Sequence, residues 1–147
     1  MKNFALILGV GVMIFACKSD RIGSKPVECI VEYRESISLK KYSMTFSEIE
    51  DGRCPENANC FTGGSVYTDL KFTSTKSDLP DRQLKLCLGD CFDLRKSGIG
   101  KPQVANIVLD GTKYLFTLLE ANPYPATSEA AQQKDKYEIK LKIQTTP

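Results

Sequence analysis

The chain contains no histidine and no tryptophan. Without histidine it lacks the commonest general base, the Ser-His and Cys-His nucleophile pairs and the commonest metal ligand. The sequence therefore reads as non-enzymatic, with no cofactor and no metal expected. Charge of one sign is lacking too: 20 Lys and Arg stand against 18 Asp and Glu, for a net charge of +2, with no block of like charges. That balance gives no electrostatic basis for binding nucleic acid or an anionic surface. No apolar run reaches the roughly 20 residues that cross a bilayer. There is no convincing internal repeat.

What is present begins with a signal. Met1-Lys2-Asn3 leads into the apolar run Phe4 to Phe15 and then Ala16-Cys17, the pattern of a secretory signal peptide. Ile14-Phe15-Ala16-Cys17 resembles the bacterial lipobox, in which a small residue precedes an obligatory cysteine. The resemblance implies cleavage after residue 16, a diacylglycerol on Cys17 and an acylated new amino terminus; two or more acyl chains make a stable membrane anchor. Lys18 stands where Asp is the usual inner-membrane retention signal, which implies the outer membrane, on its periplasmic face or at the cell surface. The expected organisation is a signal peptide at 1–16, a lipidated tether at 17–26 and one domain at 27–147. The mature chain of 131 residues is long enough to bury a core.

The rest reads as all-β. Apolar residues alternate with polar ones in "YSMTFSEIE" (Met44, Phe46, with Ile49 out of phase), in "SVYTDLKFTST" (Val66, Leu70, Phe72), in "QLKLCLG" (Leu84, Leu86, Leu88) and in "YEIKLKIQ" (Tyr137, Ile139, Leu141, Ile143). "QVANIVLD" and "KYLFTLLE" flank Asp110-Gly111, a tight-hairpin dipeptide. Period-two alternation buries one face of each strand and wets the other. The pattern predicts an antiparallel β-sandwich or small barrel of about six to eight strands. Residues 126–136 are the one place for a short helix, or equally a loop. The phase break at Ile49 predicts a bulge or strand end that turns Glu48 and Glu50 to water, which removes them as paired catalytic carboxylates. Asp51-Gly52, Gly89-Asp90 and Asp110-Gly111 read as turns, because none has the spaced carboxylates of a calcium loop.

Five cysteines remain besides Cys17. Export places them where disulfides persist. Cys54 and Cys60 enclose Pro55, Asn57 and Asn59, and Cys87 and Cys91 flank "LGD". Both spacings bring each local pair within easy bridging reach, and each bridge would stabilise by about 2 kcal/mol on the loop-entropy estimate. Cys29 is then odd. Spacing alone does not fix connectivity; a four-thiolate zinc site from Cys54, Cys60, Cys87 and Cys91 is the rival, though zinc ligands usually sit closer in pairs.

"EDGRCPENANCFTGGSV" resembles the D-S-R-C-P-x(4-5)-C-x-W-A-G motif of a family of small bacterial lipoproteins without an assigned activity. The chain keeps Asp51, Arg53, Cys54, Pro55, Cys60 and Gly64; it departs at Gly52 and at Phe61-Thr62-Gly63-Gly64. "LFTLLEANPYP" (115–125) is similar to the family's strand followed by Pro-Tyr-Pro. The resemblance implies an envelope location and a β-domain. On its own residues the loop is stiffened by Pro55 and a bridge, and Arg53 is placed to pair with Asp51. Asp51, Arg53, Pro55 and Phe61 are therefore the candidate recognition residues, against the plainer reading of the loop as a closed sheet corner. Tyr124, between two prolines, either shows its ring to solvent or folds it onto the sheet. The expected role is a non-catalytic binding or structural module held to the membrane by its lipid, with an envelope protein as possible partner. A narrower version is an inhibitor or accessory of an envelope hydrolase that inserts the Cys54–Cys60 loop into a cleft. A third reading is assembly through an open strand edge or through Cys29.

Overall fold

The alternating segments form eight strands in two four-stranded antiparallel sheets. The computed structural model describes residues 22–92, 99–100, 104–127 and 133–147. Cys17 and the signal segment lie outside the described residues. One sheet runs in the order β1 (Val27–Glu32), β10 (Glu138–Thr146), β9 (Thr112–Asn122), β8 (Val104–Leu109). The other runs β2 (Ser36–Leu39), β3 (Tyr42–Asp51), β4 (Ser65–Ser74), β5 (Arg82–Gly89). A two-stranded hairpin, β6 (Cys91–Phe92) with β7 (Ile99–Gly100), follows β5. The architecture is the β-sandwich that the alternation predicts. Lys134–Lys136 make a single 3-10 turn within the stretch that left room for a helix.

The two sheets stack through their inward faces. Met44, Phe46, Leu70, Phe72 and Leu86 from one meet Phe116, Leu118, Ile139, Leu141 and Ile143 from the other, all fully buried. Phe72 and Phe116 join the layers edge to face, with ring centroids 5.5 Å apart. Burial of this kind stabilises by about 1.5–3 kcal/mol for each large apolar side chain. Ile22 also belongs to the core, and the Gly23 carbonyl accepts a 2.8 Å bond from the Thr145 N–H. The packed chain thus begins inside the stretch read as tether.

At one end, Asp110 and Gly111 both adopt positive φ and close β8 onto β9, as that dipeptide predicts. Lys40 does the same between β2 and β3, and a Lys41–Asp110 ion pair links the two hairpin tips. The opposite end carries two bulges. Ser47 is the extra residue in β3, and its hydroxyl donates to the Asp69 carbonyl at 2.9 Å. Leu119 is the extra residue in β9. The first bulge is the source of the Ile49 phase break: Ile49 is buried while Glu50 is exposed.

Cys29 is 4% exposed on the inner face of β1. Its thiol is thereby out of reach of a second chain, which removes the disulfide route to assembly. Under native conditions Cys29 is expected to resist a thiol reagent and to react stoichiometrically in guanidinium; rapid native labelling would contradict its burial.

Candidate functional site

The quoted loop, residues 52–64, joins β3 to β4 at the bulged end. Beyond Ser47 the parity of β3 sends Ile49 inward and, at the strand end, Asp51 after it. The Asp51 side chain is 1% exposed and that of Arg53 is 10% exposed. Arg53 donates from Nε to Asp51 Oδ1 at 2.8 Å and from Nη2 to Oδ2 at 2.5 Å, a bidentate pairing. The Arg53 backbone N–H adds a 3.1 Å bond to Oδ1, and the Tyr137 hydroxyl donates to Oδ2 at 2.8 Å. The guanidinium also serves two carbonyls, Ala121 through Nη1 at 2.8 Å and Pro123 through Nη2 at 3.0 Å. Those acceptors lie at and just past the end of β9, beyond the stretch that β8 pairs.

Electrostatics follow from this geometry. Burial pushes the Asp51 carboxyl up, but the side-chain and backbone hydrogen bonds from Arg53 and the Tyr137 hydroxyl outweigh it, and its pKa ends below the ordinary carboxylate value. Burial lowers Arg53, and its bonds to Asp51 more than restore it. Burial first, then the hydrogen bond to anionic Asp51, raises Tyr137 well above an ordinary phenol. All three groups keep their usual charge at neutral pH. They form a structural bolt and not an acid–base pair.

The bolt fixes the loop from several sides. Tyr124 lays its ring against the Arg53 guanidinium at 4.6 Å and donates its hydroxyl to the Cys54 carbonyl at 2.9 Å. The Glu56 N–H reaches the Pro125 carbonyl at 3.0 Å, and Cys54 N–H the Gly63 carbonyl at 2.8 Å. The Cys54–Cys60 and Cys87–Cys91 disulfides are both formed. With these sulfurs oxidised, the four-thiolate zinc alternative is not realised. Gly64 and Asp90 lock the second bridge to the loop: Asp90 N–H donates to the Gly64 carbonyl at 2.9 Å, and Gly64 N–H to Asp90 Oδ2 at 3.1 Å.

The four candidate recognition residues separate accordingly. Asp51 and Arg53 meet as the spacing predicts, but they are turned inward. Pro55 is half-buried, and its carbonyl takes the Ala58 N–H at 3.1 Å in a tight turn. Phe61 is the one displayed: it is fully exposed, directly after the bridge. Tyr124 combines both sequence alternatives, folded onto Arg53 and still 44% exposed.

A cleft of about 430 Å³ opens beside the loop, between the ends of β5 and β9. Leu88, Leu119, Asp90, Glu120, Asn122 and the Tyr124 ring line it, with Gly63, Gly64 and Gly89 leaving backbone open. In the sequence Glu120 carries no signal and Asp90 only that of a turn, because no local pattern joins residues 30 positions apart. Among the described residues no three His, Cys, Asp or Glu side chains are grouped to hold a metal ion.

Comparison with protein-family models, with curated proteins and with solved structures finds no match to this chain. The geometry itself defines a β-sandwich with a stapled, aromatic-tipped loop at one end.

Proposed function

We propose that this chain is a lipid-anchored protein of the bacterial envelope whose domain is a non-catalytic binding module, recognising a protein partner through the loop at 52–64. Cys17 carries the lipid, and the outer membrane is its location. The observation that carries the binding role is Phe61: a large apolar ring fully exposed on a loop that a disulfide and the Arg53 bolt hold rigid. Holding a loop in one shape before contact removes most of the ordering cost of binding. Exposed aromatic side chains on such loops are typical anchors of interfaces. A protruding ring on a narrow stapled loop also suits insertion into a cleft, which favours the inhibitor or accessory form of the reading.

The test is affinity capture from detergent-extracted envelope with residues 19–147 as bait. Among the described residues every buried core residue lies between Ile22 and Ile143, so this segment retains the described core. Phe61→Asp is expected to abolish capture of the specific partner, a loss of at least tenfold, and to shift stability by less than about 0.5 kcal/mol because the ring touches nothing it supports. Undiminished capture by Phe61→Asp would remove the loop from the recognition surface.

A further inference from the structure

The cleft beside the loop has a chemistry of its own. Its lining is part apolar, from Leu88, Leu119 and the half-exposed Tyr124 ring. Its polar rim is anionic. Asp90 and Glu120 are exposed carboxylates, and among the described residues no cation pairs with Asp90. Glu120 lies 3.6 Å from Lys140, but Lys140 is closer to Glu28, at 3.0 Å, and Asn122 Nδ2 stands 3.5 Å from Glu120. Arg53, the single cation among the described lining residues, has its charge matched by Asp51 and four of its N–H groups committed. Among the described lining residues, an anionic ligand would meet two carboxylates and no uncommitted cation.

We propose that this cleft takes a basic side chain, Lys or Arg, from the protein partner. The inference rests on the reading of this end as the binding face and names the chemistry of what binds there. A basic side chain matches each part of the lining: its methylene stem lies along Leu88, Leu119 and the open side of Tyr124, and its head reaches Asp90 and Glu120. The volume is within the range of preformed ligand sites. The lining is prefixed, since Arg53, Gly63 and Gly64 flank one disulfide loop, Leu88, Gly89 and Asp90 lie within the other, and the Gly64–Asp90 pair joins them. Charge complementarity here sets the position and specificity of a partner that Phe61 anchors.

The experiment is an amide NMR titration of the ¹⁵N-labelled 19–147 protein with four probes: N-acetyl-arginine amide, N-acetyl-lysine amide, N-acetyl-glutamate amide and a neutral N-acetylglucosamine trimer. The basic probes are expected to shift the Gly63, Gly64, Gly89 and Asp90 amides saturably with a millimolar Kd, weakened at least twofold between 50 and 300 mM salt. The glutamate probe should leave those amides unmoved. Asp90→Asn with Glu120→Gln should weaken the basic probes at least fivefold; Asn retains an acceptor for Gly64, and the undisturbed remainder of the spectrum reports the fold. Saturable binding of the saccharide alone, equal response to arginine and glutamate, or no response at these amides would each overturn the proposal. Phe61→Asp separates the two readings: it should leave probe binding intact while abolishing partner capture. Probe binding with capture unaffected by Phe61→Asp would keep the cleft and discard the loop.

Discussion

Replacing Arg53 by Ala is expected to lower the stability of the domain by about 3–5 kcal/mol, the range for breaking a buried ion pair by removing one partner. The cost arises less from the bonds lost than from the group left behind. Asp51 would keep its carboxylate in a site 1% exposed with only Tyr137 and a backbone N–H to answer it. The carbonyls of Ala121 and Pro123 would lose their donor as well. A double variant, Asp51→Ala with Arg53→Ala, leaves no orphaned charge and should recover part of the loss; with Asp51→Ala alone measured as well, the cycle gives the coupling energy of the pair. Urea denaturation reads this as a lower midpoint with an unchanged slope. The pair also sets an acid limit. Because Asp51 titrates lower in the folded than in the unfolded protein, its contribution is present above the ordinary carboxylate pKa of about 4 and is lost as pH falls through the folded value. Asp51→Asn should therefore flatten the fall in stability between about pH 5 and pH 2; an equal fall in both proteins would refute this role.

Gly64→Ala is expected to cost at least about 3 kcal/mol, by strain and overlap together. Gly64 has a φ of +73°, and a Cβ there would collide with the Gly52 carbonyl oxygen and stand 2.9 Å from the Arg53 Cα. Neither neighbour is free to retreat. Gly52 N–H is bonded to the Ser65 carbonyl at 2.9 Å, and Arg53 is held by the bolt. Gly111 supplies the control, with φ +74° and open space around its Cβ position. Gly111→Ala should cost only about 1 kcal/mol, the penalty of the backbone angle alone. If the two variants lose equal stability, crowding at the loop base is not what Gly64 relieves. Hydrogen exchange adds a local reading: Gly64→Ala should expose the Cys54 and Asp90 amides first.

β3, β4, β5 and β10 were legible because each buries one face, so polar and apolar residues alternate, and β8 and β9 were legible from the Asp110-Gly111 turn between them. β1 was not, since Ile30 is apolar on the outer face and hides the Cys29–Val31 alternation. β2 is four residues long, too short for a period to register. The Ser47 bulge announced itself through Ile49, whereas the Leu119 bulge lies in "LFTLLE", where apolar residues on both sides of the irregularity erase the phase. The same division governs the site. The two disulfides and the Asp51–Arg53 pair are local, within six residues, and spacing alone pointed to them. Tyr137 is 86 positions from Asp51, and the carbonyls that Arg53 serves are 68 and 70 positions away. Only the fold brings those together. Arg53 belongs to both groups: its pairing with Asp51 is local, and its inward direction is set by the distant carbonyls it serves.

The two bulges have a consequence for how this end can change over generations of mutation. Each inserts one residue, and each thereby decides which side of its strand every later residue occupies. Asp51 and Ala121 both lie downstream of their bulges, and each meets the guanidinium because its bulge takes one residue out of the ladder. Side chains between bulge and bolt, such as Glu50 and Glu120, can be exchanged with little effect on the frame. Losing Ser47 or Leu119 outright would leave Phe46 and Glu48, or Leu118 and Glu120, as consecutive paired residues and the frame unchanged; straightening the strand with that residue kept would instead reverse the frame, sending Asp51 or Ala121 to water and Glu50 or Glu120 toward the core. Changes that straighten either bulge are therefore the ones this end cannot absorb, while exchanges at Glu50 and Glu120 leave Asp51 and Ala121 where the guanidinium meets them.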